Sequence, residues 1–312
     1  MSIQRVGIIG AGNVGMAAAF ALFVQKNCSE IVLVDVDETR TRGEALDLMH
    51  GQAYVGRIIV QAGDYSDLAG CQIVVVTAGA SQKPGESRLD LLNRNAKIFR
   101  SIAEGLDKYA PDAIVVVASN PVDVLTIIMQ RLSARPHHRV IGTGTMLDTT
   151  RFRSLLGEYY SVSPRSVHGY ILGEHGDSEF AAWSTLTIGG KSPVRSAILG
   201  IPWNDEDMDN LVARVRNSAY EIIEAKGYTN WAIGMVISTL VGIILDNRRS
   251  IEPVSSLLTG QYGISDVCLS VPTLVGADGV CRQISLNLEQ GELAALEESA
   301  ALLQEVIAEV DI

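Results

Sequence analysis

The sequence predicts an α/β fold, a doubly wound parallel sheet followed by a mixed α+β part. Three observations carry this. Short β-rich runs alternate with helical stretches through the first half, the order that builds a parallel sheet with crossover helices. Those runs are apolar throughout instead of alternating in polarity, as strands buried on both faces are. Beyond about residue 145 the alternation stops, and paired strand-like segments and long helices follow.

The β-rich runs are RVGIIG (5–10), EIVLVDV (30–36), CQIVVVTA (71–78), DAIVVVAS (112–119) and RVIGTG (139–144), with helical patterns at 13–25, 40–50 and 91–109. In the second half a helix near 148–157 precedes SVHGYILGEHG and AAWSTLTIGG, both read as strands. Two long helices at about 205–226 and 230–248, the strand-like EPVSSLLTGQYG and DVCLSVPTLVGADGV, and a closing helix from about 290 complete the chain. The expected division is 1–144 for a cofactor-binding domain and 145–312 for a catalytic, substrate-binding domain. No Gly/Ser linker separates them, so a site in the cleft between them is expected.

Composition narrows the function. At 312 residues, 47% of them hydrophobic, the chain can bury one or two real cores. A formal net charge of −11 leaves no basic face for phosphate backbones, so no nucleic-acid partner is expected. Cys28, Cys71, Cys268 and Cys281 lie far apart in no zinc or redox spacing, so no metal is expected, and Cys28 and Cys71 read as packing residues. The longest apolar stretch, 231–245, is shorter than the roughly 20 residues of a bilayer span, so no membrane partner is expected. The opening residues enter a strand at once, with no secretory leader pattern, and a cytoplasmic protein is expected.

Gly10, Gly12 and Gly15 in IIGAGNVG have the G-x-G-x-x-G spacing, and Val14 lies inside the same turn. The pattern alone is weak. Here it follows a strand, opens a helix, and is followed about 20 residues later by Asp35 at the end of the next strand, the full context of a dinucleotide-binding Rossmann unit. Gly10 permits the tight turn, Gly12 lets the backbone approach a pyrophosphate at the helix N-terminus, and Gly15 allows close helix–strand packing. Asp35 would accept hydrogen bonds from the adenine ribose hydroxyls and repel a 2′-phosphate, so NAD is expected over NADP.

Five further segments place polar residues at loop positions: Gln82 and Arg88 in SQKPGESR, Asn120 in SNPVD, Asp148 and Arg151 in LDTTR, His175 in GEHGDSE, and Thr229 in GYTNWAIG. Asp148 and Arg151 are three apart on a helical pattern and share a face, which a plain surface ion pair would also explain. Taken in order behind the glycine motif, SNPVD, LDTTRFR and GEHGDSE resemble the lactate/malate dehydrogenase family, on its bacterial, lactate-forming side. The resemblance covers essentially the whole chain.

It implies reversible hydride transfer between NADH and pyruvate, giving L-lactate; a malate dehydrogenase of the same family is the alternative. His175 would be the acid/base, held in one tautomer by Asp148. Arg151 would fork onto the substrate carboxylate, and Arg88, on a lid over about 80–90 with the pair Pro84-Gly85, would polarise the carbonyl. Asn120 would bond the substrate oxygen and seat the nicotinamide, Thr229 would shape the pocket, and Ile233, one helical turn on, would cover the nicotinamide ring. Thr143 stands where relatives often carry serine near the nicotinamide amide, and a hydroxyl is retained.

Gln82 occupies the position that faces the substrate side chain, where malate-specific relatives carry an arginine. A second carboxylate would be buried beside a neutral amide, which favours pyruvate over oxaloacetate. The resemblance also implies a homotetramer, with a dimer as the alternative, activated by fructose 1,6-bisphosphate through Arg153 and His168, which would otherwise be a surface arginine and a strand histidine.

Overall fold

The computed structural model describes residues 4–80, 85 and 87–311. Six parallel strands form its centre: β1 (Arg5–Ile9), β2 (Glu30–Val34), β3 (Ile59–Ala62), β4 (Ile73–Val76), β5 (Ile114–Val117) and β6 (Val140–Gly142), in the order β3-β2-β1-β4-β5-β6. This is the doubly wound order, and it reverses direction between β1 and β4. The four residues IVVV of β4 and of β5 are buried, because helices cover both faces of the sheet. Helices α1 (Asn13–Gln25), α2 (Glu38–His50), α3 (Gln52–Val55), α4 (Arg88–Tyr109) and α5 (Val122–Leu132) lie in this half.

Helix α6 (Met146–Tyr159) opens the second half. The stretch after it was expected to hold two full strands. It forms only two-residue pieces: β7 (Val167–His168), β8 (Ile171–Leu172), β9 (Phe180–Ala181), β10 (Thr187–Ile188), β11 (Ala197–Ile198) and β12 (Ile201–Pro202). Gly173, at φ +91°, turns the backbone out of the extended region just past β8, and a tight helical turn at Trp183–Thr185 interrupts the second run. These breaks leave 173–179 as a loop.

Helices α7 (Asp205–Lys226) and α8 (Trp231–Leu245) follow. In α7, Asn204 caps the Asp207 N–H, and Asp205, Glu206 and Asp207 face the positive end of the helix dipole. The long strands β13 (Ser250–Thr259), β14 (Ser265–Gly276) and β15 (Gly279–Gln283) then join the first sheet instead of forming one of their own. β13 pairs antiparallel with β6 through Ser255 and Gly142, so the sheet has nine strands among the described residues. Helix α9 (Gln290–Ala308) packs against β14 and β9.

Cys28, Cys71 and Cys268 are buried thiols without disulfides. Burial pushes the first two up to about 12 and about 11, so they act as packing groups. Among the described residues, no helix is long and apolar enough to cross a membrane.

Candidate active site

The glycine turn sits at the C-terminal end of β1, beside the point where the strand order reverses. Gly10 has φ +105°, and a Cβ there would lie 2.6 Å from the Ala78 nitrogen. A Cβ on Gly15 would lie 1.8 Å from the Gly10 carbonyl oxygen, whereas one on Gly12 would meet nothing within 4 Å. Two of the three glycines are therefore required by the protein's own packing. The third faces open space at the start of α1, whose first turn has neither a side-chain cap nor an acidic residue. Free N–H groups at a helix start, with room for close backbone approach, suit an anionic pyrophosphate.

Asp35 closes the same region: its Oδ2 accepts the Ala11 N–H at 2.6 Å and its Oδ1 the Asp37 N–H at 3.1 Å. Val14 and Ile233 pack at the border of one apolar cluster with Ile8 and Leu33, so the opening turns of α1 and α8 are brought together. Thr143 is buried, and its N–H donates to the Val117 carbonyl.

A cavity of about 520 Å³ lies between the C-terminal ends of the parallel strands and α7. Arg88, Asn120, Asp148, Arg151 and His175, five of the residues singled out from sequence, all line it. The Asn120–Pro121 peptide is cis. Arg88 is the first residue of α4, capped by Ser87, and not part of a loop as expected. The helix extends to Arg88 because the Ser87 hydroxyl satisfies the Asp90 N–H. Gln82 and Pro84 lie outside the described residues. Thr229 is on the connection from α7 to α8, and neither it nor Ile233 lines this cavity.

Asp148 organises the cluster. It lies in the first turn of α6, where the helix dipole favours a negative charge. Its Oδ2 meets the His175 Nδ1 at 2.6 Å and its Oδ1 accepts from the Arg151 Nη1 at 2.9 Å. Burial works against this charge, but the His175 ring and the Arg151 guanidinium outweigh it and hold the carboxyl below its ordinary pKa. His175 shows the reciprocal effect. Burial alone would push it down; the Asp148 carboxylate, followed by Asp123 and Glu179, lifts it to about 9. With Nδ1 committed to Asp148, a ring so placed keeps its proton at neutral pH and has Nε2 left for another partner.

The loop that carries His175 is held from several sides. Thr145 Oγ1 donates to the Ile171 carbonyl and Ile171 N–H to Thr149 Oγ1, which ties β8 to α6. Gly173 exchanges backbone hydrogen bonds with Ser270 of β14, and the Glu174 N–H donates to Ser299 Oγ on α9. The His175 N–H itself donates to Asp123 Oδ2 at 2.7 Å, while Ser255 Oγ donates to Asp123 Oδ1 at 2.5 Å. Asp123 is 2% exposed, and burial pushes it up to about 6 against the two hydrogen bonds that favour its anion.

Sequence reasoning passed over Asp123, Glu179 and Ser255. A signal for the first was available: a carboxylate in the first turn of VDVLTIIM, apolar but for it and Thr126, is costly to bury without partners. Glu179 closes GEHGDSE and looks like any acid at the end of a polar loop; only the fold shows it buried. Ser255 sits 132 residues from its partner, and nothing local marks it.

The two halves of the chain match two parts of one family. The lactate/malate dehydrogenase NAD-binding domain matches residues 4–142, and the lactate/malate dehydrogenase α/β C-terminal domain matches 145–311. The chain belongs to the lactate/malate dehydrogenase family. It is 53% identical, over 99% of both chains, to a Salinibacter ruber protein named L-lactate dehydrogenase. It is 46% identical to L-lactate dehydrogenase 1 of Clostridium acetobutylicum, over 96% of each. A minor L-lactate dehydrogenase of Enterococcus mundtii, solved in a ligand-bound form, superposes with a TM-score of 0.97 at 42% identity over the whole of both chains. As a member of this family the chain is an NAD-dependent dehydrogenase, and the glycine turn with Asp35 fits that cofactor.

Proposed function

We propose that the protein is an NAD-dependent L-lactate dehydrogenase that reduces pyruvate reversibly, with residues 1–144 serving the cofactor and 145–312 most of the substrate site. One observation carries the reading: Asp148 bonds the acid/base candidate with one oxygen and the carboxylate-binding candidate with the other. NADH, when bound, supplies the hydride. His175 gives the proton to the oxygen that becomes the hydroxyl, and takes it back in lactate oxidation. Asp148 keeps the ring in one tautomer and stabilises its charged form. Arg151 holds the substrate carboxylate, Arg88 polarises the carbonyl, Asn120 bonds its oxygen, and, from outside the 520 Å³ cavity, Thr229 closes on the substrate's third carbon and Ile233 covers the nicotinamide.

Gln82 selects the substrate. A one-carboxylate keto acid is balanced by Arg151, whereas the second carboxylate of oxaloacetate would stand beside a neutral amide. The test is His175→Ala: NADH binding should survive, while pyruvate-dependent NADH oxidation should fall by about a thousandfold or more. Unchanged turnover would remove His175 from the mechanism.

Arg153 and His168 form an effector site for fructose 1,6-bisphosphate. The Arg153 Nε donates to the Gly169 carbonyl, which brings it beside the exposed His168. Fructose 1,6-bisphosphate should activate the natural chain and leave Arg153→Gln unchanged. By the resemblance the assembly is a cytoplasmic homotetramer; the exposed Phe20, Val24, Trp231 and Met235 on the outer faces of the packed pair α1 and α8 support self-association. Sedimentation at micromolar concentration tests the assembly.

A further inference from the structure

Glu179 is buried at the active site with no evident work to do. It is 2% exposed, lines the same cavity, and its Oε1 has no hydrogen-bond partner among the described residues. One of its carboxylate oxygens lies within 4.8 Å of both a His175 ring nitrogen and an Asp148 oxygen. A second carboxylate so close to the Asp148–His175 pair is an expensive placement unless its charge is used or suppressed.

The charged surroundings are mixed. Asp148 and Arg151 of α6, His175 of its own loop and Arg216 of α7 act on it electrostatically, and Glu174, Asp177 and Tyr220 line the same cavity. Arg88 and Glu309 stand on other walls of the cavity. Arg216 is the nearest cation on α7, but its Nε and Nη2 donate to the Glu179 backbone carbonyl and not to the carboxylate. No hydrogen-bonded cation neutralises this side chain among the described residues.

We propose that Glu179 is a specificity-determining group whose protonation state decides whether the cavity admits a mono-anionic keto acid. When it is protonated, the three charged groups of the cluster around it, Asp148, Arg151 and a charged His175, sum to one positive charge, the complement of one carboxylate. When it is ionised, it offsets that local charge and an anionic substrate is held less tightly. Burial first, then the neighbouring Asp148, pushes Glu179 up to about 8, so the neutral form prevails at neutral pH and the anion above it. The inference rests on the lactate dehydrogenase reading of the site.

The test is the pH dependence of kcat/KM for pyruvate, with NADH saturating, from pH 7 to 10 in the natural chain and in Glu179→Gln. Two groups must lose protons in the natural chain, Glu179 and His175, so log kcat/KM should approach a slope of −2. In the variant only His175 remains and the slope should be −1. Between pH 7 and 9.5 this is a fall of more than about thirtyfold against about tenfold or less. Equal slopes overturn the inference while leaving the lactate dehydrogenase reading intact; a natural chain that reduces no pyruvate at any pH overturns both. If Glu179→Gln does not bind NADH, proton uptake by the natural chain on forming its complex with NADH and oxamate decides the matter. From pH 9 upward it should exceed one proton per site, and an uptake that never exceeds one overturns the inference.

Discussion

At the glycine turn the atoms open to a ligand are backbone N–H groups from a stretch six residues long, residues 10–15, and what matters is the absence of side chains. At the His175 cluster they are side-chain oxygens and nitrogens gathered from positions 27 and 52 residues apart, and what matters is how charges are paired. The first region is a shape, specified locally by where a Cβ is forbidden. The second is an electrostatic arrangement, specified by three chain segments that meet only in the folded sheet. The two should therefore fail differently: the turn through cofactor affinity or folding, the cluster through rate and pH dependence with the cofactor still bound.

The largest effect expected, beyond removal of His175 itself, is at Asp148. Asp148→Asn keeps the shape and removes the charge that holds His175 at about 9. Pyruvate kcat/KM at neutral pH should fall by roughly a hundredfold to ten-thousandfold, as when a carboxylate that orients a histidine is lost. The sign of the pH change is fixed: without Asp148 the ring loses its proton at lower pH, so the residual pyruvate activity should decline from a more acidic point. A profile that keeps a proton loss near 9 would break the assignment of that loss to the Asp148–His175 pair.

The glycine turn gives the next effect and sharpens the contrast. Gly12→Ala places a methyl group in open space, so melting temperature should hold while NADH binding weakens by about tenfold or more. Gly15→Ala forces the new Cβ against the Gly10 carbonyl, and should lower melting temperature as well as affinity. Equal melting temperatures for the two variants, measured by calorimetry, would contradict the division of labour between these glycines.

Asp123 gives the smallest effect. Its ordinary carboxyl pKa of 3.8 rises to about 6 in the fold, so between those values the native state binds more protons than the unfolded chain. Its contribution to stability is present below about pH 4 and is lost as pH rises through about 6. Asp123→Asn should flatten that part of the melting profile by on the order of a few degrees. It should also lower kcat several-fold, because one amide oxygen cannot accept from both Ser255 and the His175 N–H as two carboxylate oxygens do.

The same contrast governs what was legible in the chain. β1, β2, β4, β5 and β6 were readable because continuous apolar runs have few other uses, and the glycine spacing because its meaning lies in neighbouring residues. β3 was missed: its four residues, IVQA, include a polar one and make too short a run to stand out. The segments around His175 read as strands because Val, Ile and Leu recur in them, but Gly173 and the turn at 183–185 decide otherwise. That β13 and β14 extend the first sheet was not readable, since strand pairing over more than a hundred residues leaves no local mark. The ring-side partner of His175 came from motif resemblance; Asp123 on its backbone and Glu179 beneath it needed the fold.

The most direct test of the central claim is kcat/KM with NADH for pyruvate and for oxaloacetate on one purified sample. The proposed roles, Arg151 for the one substrate carboxylate and the neutral Gln82 as selector, predict a preference for pyruvate of roughly a hundredfold or more. A preference for oxaloacetate would mean that another cation reaches the second carboxylate, and would contradict the lactate-forming reading while leaving the family and its hydride chemistry in place.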